Sequence, residues 1–243
     1  MKKIAIIQAR MGSTRLPGKV LKEVLNKPLL EYQLERVAKA KKLDGVVIAT
    51  TTNAQDSAIV KLCGKMGVPV FRGSEKDVLA RYFAAASHFQ ADVIIRLTSD
   101  CPVIDPEIID KVIHAYLVHQ NQYDYVSNTI KRTFPRGMDT EVFSYQALQK
   151  CHEQAKLKGH REHVTSYMYQ HPEQFSLYNV ENPIDESAHR WTVDTWDDFL
   201  LIKKIIESLY PSQPNFTTAD ILSTLDLHSE WREINQHVEQ KKE

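Results

Sequence analysis

The chain has 243 residues, 42% of them hydrophobic, and its 31 basic residues balance 31 acidic ones; this length suits one large domain, alone or with a small appendage. A formal net charge of zero gives no overall attraction to nucleic acid, which needs a basic surplus on at least one face. No apolar stretch approaches the roughly 20 residues that span a bilayer, and the N-terminus lacks the features of a signal peptide, so we expect no membrane partner.

The first half of the chain alternates between strand and helix periodicity. Short, nearly continuous apolar runs predict buried parallel strands at 3–8, 45–51, 68–71 and 92–98. Helical periodicity predicts helices at 27–42, 53–67, 75–89 and 105–119. We expect Gly67 to end the second helix and Asp105 to cap the fourth. This alternation predicts a doubly wound, mostly parallel, Rossmann-like α/β sheet.

Ligands of such a sheet bind beyond the carboxyl ends of its strands. That rule places four segments on one rim of the predicted sheet, at 9–19, 50–54, 72–77 and 98–102. Residues that bind a ligand are therefore expected in these segments.

After residue 120 the alternation is less regular. Strands are predicted at 123–129, 139–144, 175–180 and 189–194. Helices are predicted at 144–158, 161–171, 195–210 and 217–228, the last capped by Thr217 or Thr218, and the tail from 239 is expected to fray. We predict a single domain over 1–243. Its block at about 123–180 is either an inserted substrate-binding or dimerisation subdomain or the far half of the same sheet.

The stretch QARMGSTRLPGKVL (8–21) directly follows the first predicted strand. It is not a Walker P-loop, because Gly12 and Gly18 are separated by five residues and Lys19 is followed by valine rather than Ser or Thr. The dinucleotide fingerprint G-x-G-x-x-G is also absent. The spacing therefore excludes both common nucleotide-binding loops.

The chemistry of this loop nevertheless points to phosphate. Arg10, Arg15 and Lys19 place three positive charges within ten residues. Arginine forks match pairs of phosphate oxygens, and lysine adds a mobile charge. An ordinary solvated basic loop is the alternative, but the position after a strand favours phosphate binding.

The loop also resembles the signature of the cytidylyltransferases that activate 3-deoxy sugar acids, such as the CMP-Kdo and CMP-acylneuraminate synthetases. Within that superfamily the sequence is most similar to the SpsF-type proteins of spore coat polysaccharide biosynthesis. Further stretches match this branch in order, namely FRGSEKDVLARY, IRLTSDCPVIDPE, YVSNT, FPRGMDTEVFS, REHVT and RWTVDTWDDF. The resemblance implies a nucleotidyltransferase fold of the glycosyltransferase-A-like type.

In that family the opening loop wraps the triphosphate of CTP. The nucleotide-binding positions that the resemblance implies here are Gln8, Ala9, Arg10, Gly12, Ser13, Arg15, Lys19, Arg72, Ser74 and Asp77. We predict catalytic roles for Arg15, Lys19 and Asp100, with the two basic groups meeting the charge of the leaving pyrophosphate. Asp77 is equally well placed to cap a helix.

Asp100 and Asp194 each follow a predicted strand. Nucleotidyl transfer needs a hard cation, and Mg²⁺ prefers one or two carboxylates together with phosphate oxygens and water. Two aspartates at neighbouring strand ends would supply this set, and the resemblance also implies that both bind the metal. Taken singly, Asp100 has the alternative role of a turn residue and Asp194 that of a helix cap.

For the acceptor, the candidate substrate-binding residues are Arg136, Asp139, Glu141 and Arg161. The two arginines suit a carboxylate or a phosphate, although Arg161 is equally suited to an ion pair on a helix surface. This region matches only the SpsF-type branch, so the sequence does not identify the acceptor beyond an anionic sugar.

These features predict a Mg²⁺-dependent cytidylyltransferase that transfers CMP from CTP to a sugar acid or related anionic sugar, for cell-surface polysaccharide biosynthesis. One alternative is a glycosyltransferase that uses a nucleotide sugar, but TSDCP carries one aspartate where a D-x-D motif would carry two. Another is a non-catalytic nucleotide-binding protein. We expect a homodimer in the cytoplasm, where three widely spaced cysteines remain reduced.

Overall fold

The computed structural model describes residues 1–240 and contains one large β-sheet with helices on both faces. The strands of the described chain are β1 (Lys3–Gln8), β2 (Glu23–Val24), β3 (Lys27–Pro28), β4 (Gly45–Thr51), β5 (Val70–Gly73), β6 (Val93–Thr98), β7 (Tyr125–Ser127), β8 (Glu141–Ser144) and β9 (Leu177–Asn179). Strands β2 and β3 form a separate hairpin, and the other seven form the sheet in the order β5–β4–β1–β6–β8–β7–β9.

The α-helices of residues 1–240 are α1 (Leu29–Val37), α2 (Ser57–Met66), α3 (Val78–His88), α4 (Pro106–His119), α5 (Tyr145–Gln154), α6 (Lys158–Glu162), α7 (Ser166–Gln170), α8 (Trp196–Leu209) and α9 (Thr218–Leu227). Their ends follow the expected chemistry. Gly67 ends α2 with a φ of 67°, a conformation that glycine adopts without strain. The Asp105 carboxylate accepts a hydrogen bond from the Glu107 N–H at the start of α4, and Thr217 caps α9.

The predicted doubly wound architecture is confirmed. Strands β5, β4, β1 and β6 are parallel, whereas β8 is antiparallel to both of its neighbours. Alternate residues of β1 serve two hydrophobic layers: Ile4 and Ile6 pack with α3 and α5, while Ala5 and Ile7 pack with α1, α4 and α8. Because both faces are covered, the parallel strands are apolar almost throughout.

Two predicted elements are wrong. Residues 189–194 form no strand. Arg190 instead makes an isolated parallel bridge to Arg136, and this bridge lies outside the named strands. The backbone of 189–194 links two loops, since the Trp191 N–H donates to the Arg136 carbonyl and the Val193 N–H donates to the Asp100 carbonyl. The single helix predicted at 161–171 is interrupted by Val164, whose φ is 55°.

The block at 123–180 contributes β7, β8 and β9 to the main sheet. Its helices α5 and α7 share a hydrophobic layer with α3. The predicted single domain, and any separate role of this block, stay predictions. Residues 239 and 240 have no regular structure, and the rest of the tail that we expect to fray, 241–243, lies outside the described residues.

Within residues 1–240, none of the helices combines the length and the hydropathy that crossing a membrane requires.

Candidate active site

The opening loop crosses the carboxyl ends of β1 and β4, as the strand-end rule predicts. The Met11 N–H donates to the Asp56 carboxylate at 2.7 Å, and the Gly18 N–H donates back to the Met11 carbonyl at 3.0 Å. Gly18 has a φ of 68°, so the loop closes through a left-handed turn that favours glycine. Fully buried Asp56, which also bonds to the Thr51 hydroxyl, therefore holds the loop against the sheet.

Lys19, Asp100 and Asp194 meet at the end of this loop. The Lys19 ammonium lies 3.1 Å from Asp100 Oδ2 and 2.8 Å from Asp194 Oδ1. The second oxygen of Asp194 accepts from Arg15 and from Arg190, each at 2.9 Å. The structure thus brings the three predicted catalytic residues and both predicted metal ligands into one cluster.

Backbone hydrogen bonds hold the two aspartates side by side. The Asp100 carbonyl accepts from the Val193 N–H at 2.8 Å and from the Thr192 hydroxyl at 3.2 Å. The segment that carries Asp194 therefore lies along the end of β6, which leads into Asp100. Thr195, rather than Asp194, caps α8, so the carboxylate of Asp194 is available to the cluster.

The electrostatics of the cluster favour its charged forms. Burial by itself would raise the pKa of Asp100, but the Lys19 ammonium and a hydrogen bond from the Thr98 hydroxyl lower it to about 2. Burial would likewise lower the pKa of Lys19, yet the two carboxylates raise it above its usual value. The cluster therefore stabilises a positive charge at the point where the two carboxylate groups converge.

This donor set fits Mg²⁺. The Lys19 ammonium lies where the Asp100 and Asp194 carboxylates converge, at a position where a metal ion would contact both of them. Residues 1–240 contain no cluster of three or more His, Cys, Asp or Glu that would enclose a metal. Two carboxylates suffice for Mg²⁺, since it commonly completes its shell with water and phosphate oxygens.

Two adjoining cavities meet at the aspartates. A smaller pocket of about 240 Å³ is lined by the opening loop, and a larger cleft of about 680 Å³ extends toward β8. Asp100, Asp194 and Arg15 line both cavities. An atom bound between the aspartates would therefore face one ligand in each cavity.

Most of the predicted nucleotide-binding residues lie around the smaller pocket. Those that line it are Gln8, Ala9, Arg10, Ser13, Arg15 and Lys19. Arg10 is exposed, and within residues 1–240 its guanidinium has no hydrogen bond or ion pair, so its donors face the pocket without a protein acceptor. Gly12 belongs to the same loop but does not line the pocket.

Arg72, Ser74, Asp77 and Arg161 lie elsewhere, and none of them lines either cavity. Arg72 donates to the carbonyls of Thr51 and Asn53. Ser74 accepts from the Asp77 N–H, and Asp77 caps α3 by accepting from Ala80. Their predicted ligand contacts stay predictions.

Asp77 and Arg161 are joined by an ion pair of 2.7 Å. Arg161 also donates to the carbonyl of His152 at 2.8 Å. Asp77 caps the N-terminus of α3 and Arg161 lies in α6, so the pair joins two helices instead of lying along the surface of one.

The other three predicted acceptor residues line the larger cleft. Glu141 is buried and bonds to Arg96 and to the Tyr125 hydroxyl. Asp139 forms a two-pronged pair with Arg132, at 2.5 and 2.8 Å. These bonds neutralise four of the charges around the cleft.

Arg136 differs from the other arginines of the cleft. Within the described chain its guanidinium has no hydrogen bond or ion pair. Burial and the neighbouring charges of Arg132 and Arg190 lower the pKa of Arg136. Its charge is therefore not neutralised by an ion pair, unlike the charges of Arg96 and Arg132.

Sequence reasoning missed Asp56, Arg132 and Arg190. Asp56 resembles an ordinary acidic residue at a helix start, and nothing in its neighbourhood indicates a contact with a loop 45 residues earlier. Arg190 lies in a run that reads as a strand, HRWTVD. A charged residue inside such a run is a usable signal, because buried arginines require acidic partners.

A mostly parallel sheet with a basic loop and two converging aspartates at its rim is a nucleotidyltransferase fold of the Rossmann-like type. The sequence profile described as cytidylyltransferase matches residues 4–214. The protein therefore belongs to the cytidylyltransferase family, and the family resemblance expected from its motifs is confirmed.

Individual relatives agree with this assignment. The chain is 36% identical to the spore coat polysaccharide biosynthesis protein SpsF of Bacillus subtilis (strain 168), over 91% of this chain and 92% of SpsF. It is 35% identical to a cytidylyltransferase of Leptospira borgpetersenii, whose structure superposes with a TM-score of 0.92 over 100% of both chains. CMP:2-keto-3-deoxy-manno-octonic acid synthetase complexed with CTP has a TM-score of 0.67 over 86% of this chain and 99% of the synthetase; at 16% identity this shows the fold alone.

Proposed function

We propose that the protein is a Mg²⁺-dependent cytidylyltransferase that transfers CMP from CTP to a sugar acid or a related anionic sugar. The observation that carries this proposal is the position of the Lys19–Asp100–Asp194 cluster between two cavities. One cavity presents a basic loop to a polyphosphate, and the other is large enough for a sugar.

The smaller pocket suits the triphosphate. Arg10, Arg15 and Lys19 provide the donors, and their charges match the several negative charges of CTP. The preference for cytosine rests on the family, including the solved synthetase that carries CTP on the same fold.

In the proposed reaction, an acceptor hydroxyl oxygen forms a bond to the α-phosphorus of CTP. The bond from that phosphorus to its bridging oxygen breaks, pyrophosphate leaves with that oxygen, and the proton of the hydroxyl passes to solvent water. Mg²⁺ bound by Asp100 and Asp194 would neutralise charge on the phosphates. Arg15 and Lys19 stabilise the departing pyrophosphate, so positioning and electrostatics supply most of the catalysis.

The larger cleft suits an anionic acceptor. Arg96 and Arg132 are paired with carboxylates, which leaves the guanidinium of Arg136 to bind a carboxylate or phosphate of the sugar. Asp139 and Glu141 hold the paired arginines in place and line the same cleft.

The relative SpsF is named for spore coat polysaccharide biosynthesis. By analogy, we place the product of this enzyme in cell-surface polysaccharide synthesis, in the cytoplasm where CTP is made. A homodimer is part of the same proposal and rests on the family.

The direct test is pyrophosphate release from each of the four nucleoside triphosphates, with Mg²⁺, against a panel of sugar acids and sugar phosphates. Release with CTP and one acceptor, lost in Asp100→Ala and kept in Asp226→Ala, would support the proposal. Asp226 is a suitable control because its carboxylate is a surface partner of Arg232.

Other outcomes would contradict the proposal. CTP binding without pyrophosphate release for any acceptor favours the non-catalytic alternative. Consumption of a nucleotide sugar with release of the nucleotide favours glycosyl transfer.

A further inference from the structure

Arg190 connects Asp194 to a buried polar cluster. Its Nη2 donates to Asp194 Oδ2 at 2.9 Å and to Asp198 Oδ2 at 3.0 Å, and its Nε donates to Asp198 Oδ1 at 2.8 Å. The side chain of Arg190 is 6% exposed and that of Asp198 is completely buried. An arginine with two bonds to one carboxylate has little freedom to rotate.

Asp198 is itself fixed in several ways. It belongs to the capping box at the start of α8, where its Oδ2 accepts from the backbone N–H groups of Asp194 and Thr195, both at 3.0 Å. The side chain of Asn235 donates to Asp198 Oδ1 and to the Arg190 carbonyl, each at 2.9 Å. Asp198 and Asn235 together therefore fix the guanidinium of Arg190 on the side away from the two cavities.

The other two cations on Asp194 are in a different position. Lys19 and Arg15 line the smaller pocket, whereas Arg190 lines neither that pocket nor the larger cleft. Phosphate groups entering the pocket would compete for Lys19 and Arg15. Arg190 does not line that pocket, so its bond to Asp194 is not among those for which a phosphate there would compete.

We propose that Arg190 is the positioning residue for Asp194: it keeps one carboxylate oxygen in place so that the other binds the metal after Lys19 has turned to the nucleotide. This inference rests on the proposed metal role of Asp194. Residues that orient a metal ligand in this way commonly contribute about 10- to 100-fold to metal affinity or activity.

The test measures Mn²⁺ affinity, by paramagnetic resonance, for the full chain in the presence of CTP and without acceptor. We expect Arg190→Met to weaken Mn²⁺ binding by about 10- to 100-fold. Arg190→Lys keeps the charge but not the fork, so it should lie between Arg190→Met and wild type. Gln240→Ala is the matched control: it removes the 2.7 Å bond at Arg190 Nη1 but keeps the bonds from Arg190 to Asp194 and Asp198, so without acceptor it should leave Mn²⁺ affinity unchanged.

A double variant separates positioning from a general structural role. Asp194→Asn should weaken Mn²⁺ binding by itself, and adding Arg190→Met to it should cause no further loss. Wild-type Mn²⁺ affinity in a folded Arg190→Met or Arg190→Lys protein would overturn the inference, as would an equal loss in the Asp194→Asn background. Arg190→Lys carries the test if Arg190→Met does not fold. Unchanged affinity in Asp194→Asn alone would instead refute the metal site of the proposed function.

Discussion

The smaller pocket and the larger cleft differ in how their charges are balanced. The smaller pocket takes Arg10, Arg15 and Lys19 from one continuous loop. Arg15 and Lys19 pair with the aspartates that both cavities share, and Arg10 has no acceptor within the described chain. In the cleft, Arg96 and Arg132 come from separate segments and are neutralised by carboxylates. A loop with three basic groups within ten residues matches a polyphosphate, whereas a cleft in which carboxylates pair two of the arginines, and leave Arg136 unpaired within the described chain, matches a ligand with few charges. The proposed division into nucleotide and acceptor sites follows from this difference.

Lys19→Met should have the largest effect on activity, because Lys19 bonds to both of the aspartates that lie between the two cavities. We expect kcat to fall by about 10²- to 10³-fold, as for other groups that stabilise developing charge. Without the ammonium, two carboxylates face each other, so Mg²⁺ alone should raise the melting temperature of the variant more than that of the wild type. Lys22→Met is the control, since Lys22 lies 5.0 Å from the Trp196 ring and lines neither cavity. An equal loss of kcat in both variants would remove Lys19 from the mechanism.

Gly137→Ala tests the packing of the segment at 189–194, which brings Asp194 to the boundary between the two cavities. A Cβ at position 137 would lie 2.6 Å from the Trp191 carbonyl oxygen, and the φ there is 103°. We expect a loss of about 2–4 kcal/mol in the free energy of unfolding, from strain and overpacking together. Gly159→Ala is the control, because nothing lies within 4 Å of its Cβ position. Denaturant titration gives both values, and similar stability in the two variants would contradict the close approach.

Arg136→Met tests whether the cleft binds the anionic acceptor. We expect the KM for the acceptor to rise by about tenfold or more, since hydrogen bonds to charged groups contribute about 1.5–3 kcal/mol. The KM for CTP should change little. Arg10→Met should show the opposite pattern, with the larger increase in the KM for CTP. If both variants changed both constants equally, the two cavities would not be separate sites.

Asp77→Asn should have the smallest effect, on stability. The pKa of Asp77 is lower than usual. Burial alone would raise it, but this effect is outweighed by the hydrogen bonds and charge of Arg161 and by the hydrogen bond from the Ala80 N–H at the start of α3. A carboxylate with a lowered pKa stabilises the fold above its unfolded pKa of about 4, and that contribution is lost as the pH falls below it. Because Asp77 is 36% exposed, we expect about 0.5 kcal/mol after screening.

The difference between Asp77→Asn and wild type should therefore be present at pH 7 and shrink as the pH falls below about 4, through the lowered folded-state pKa of Asp77, measured by urea denaturation at each pH. A constant difference at all pH values would rule out the ion pair as its source. The KM of the same variant for CTP tests the nucleotide contact that the sequence predicts for Asp77.

Local patterns predicted most of the fold. The apolar runs at 3–8 and 45–51 coincide with β1 and β4, because strands buried on both faces need apolar side chains at every position. The helix ends at Asp105 and Gly67 were also predictable, because a helix end requires a particular side chain or backbone conformation. The opening loop was recognisable because its three basic residues lie within ten residues of sequence.

The wrong elements involve residues whose partners are distant in sequence. The run at 189–194 alternates like a strand, but its hydrogen bonds go to Asp100 and Arg136 rather than to a neighbouring strand. The Arg72 and Ser74 side chains also bond to backbone groups that their motif does not indicate, and the nucleotide contacts predicted for them stay predictions. No sequence pattern shows which acceptor a donor will find.

By itself, the sequence determined the alternating sheet, the basic character of the first loop and the family. Each of these depends on residues that are close along the chain. Only the tertiary structure decided that Asp100 and Asp194 share the Lys19 ammonium and that Arg190 pairs with Asp194. It also decided that Arg136, within residues 1–240, lacks the carboxylate partner that Arg96 and Arg132 have. These contacts join residues far apart in sequence, and they exist only because packing of the sheet brings their segments within hydrogen-bonding distance.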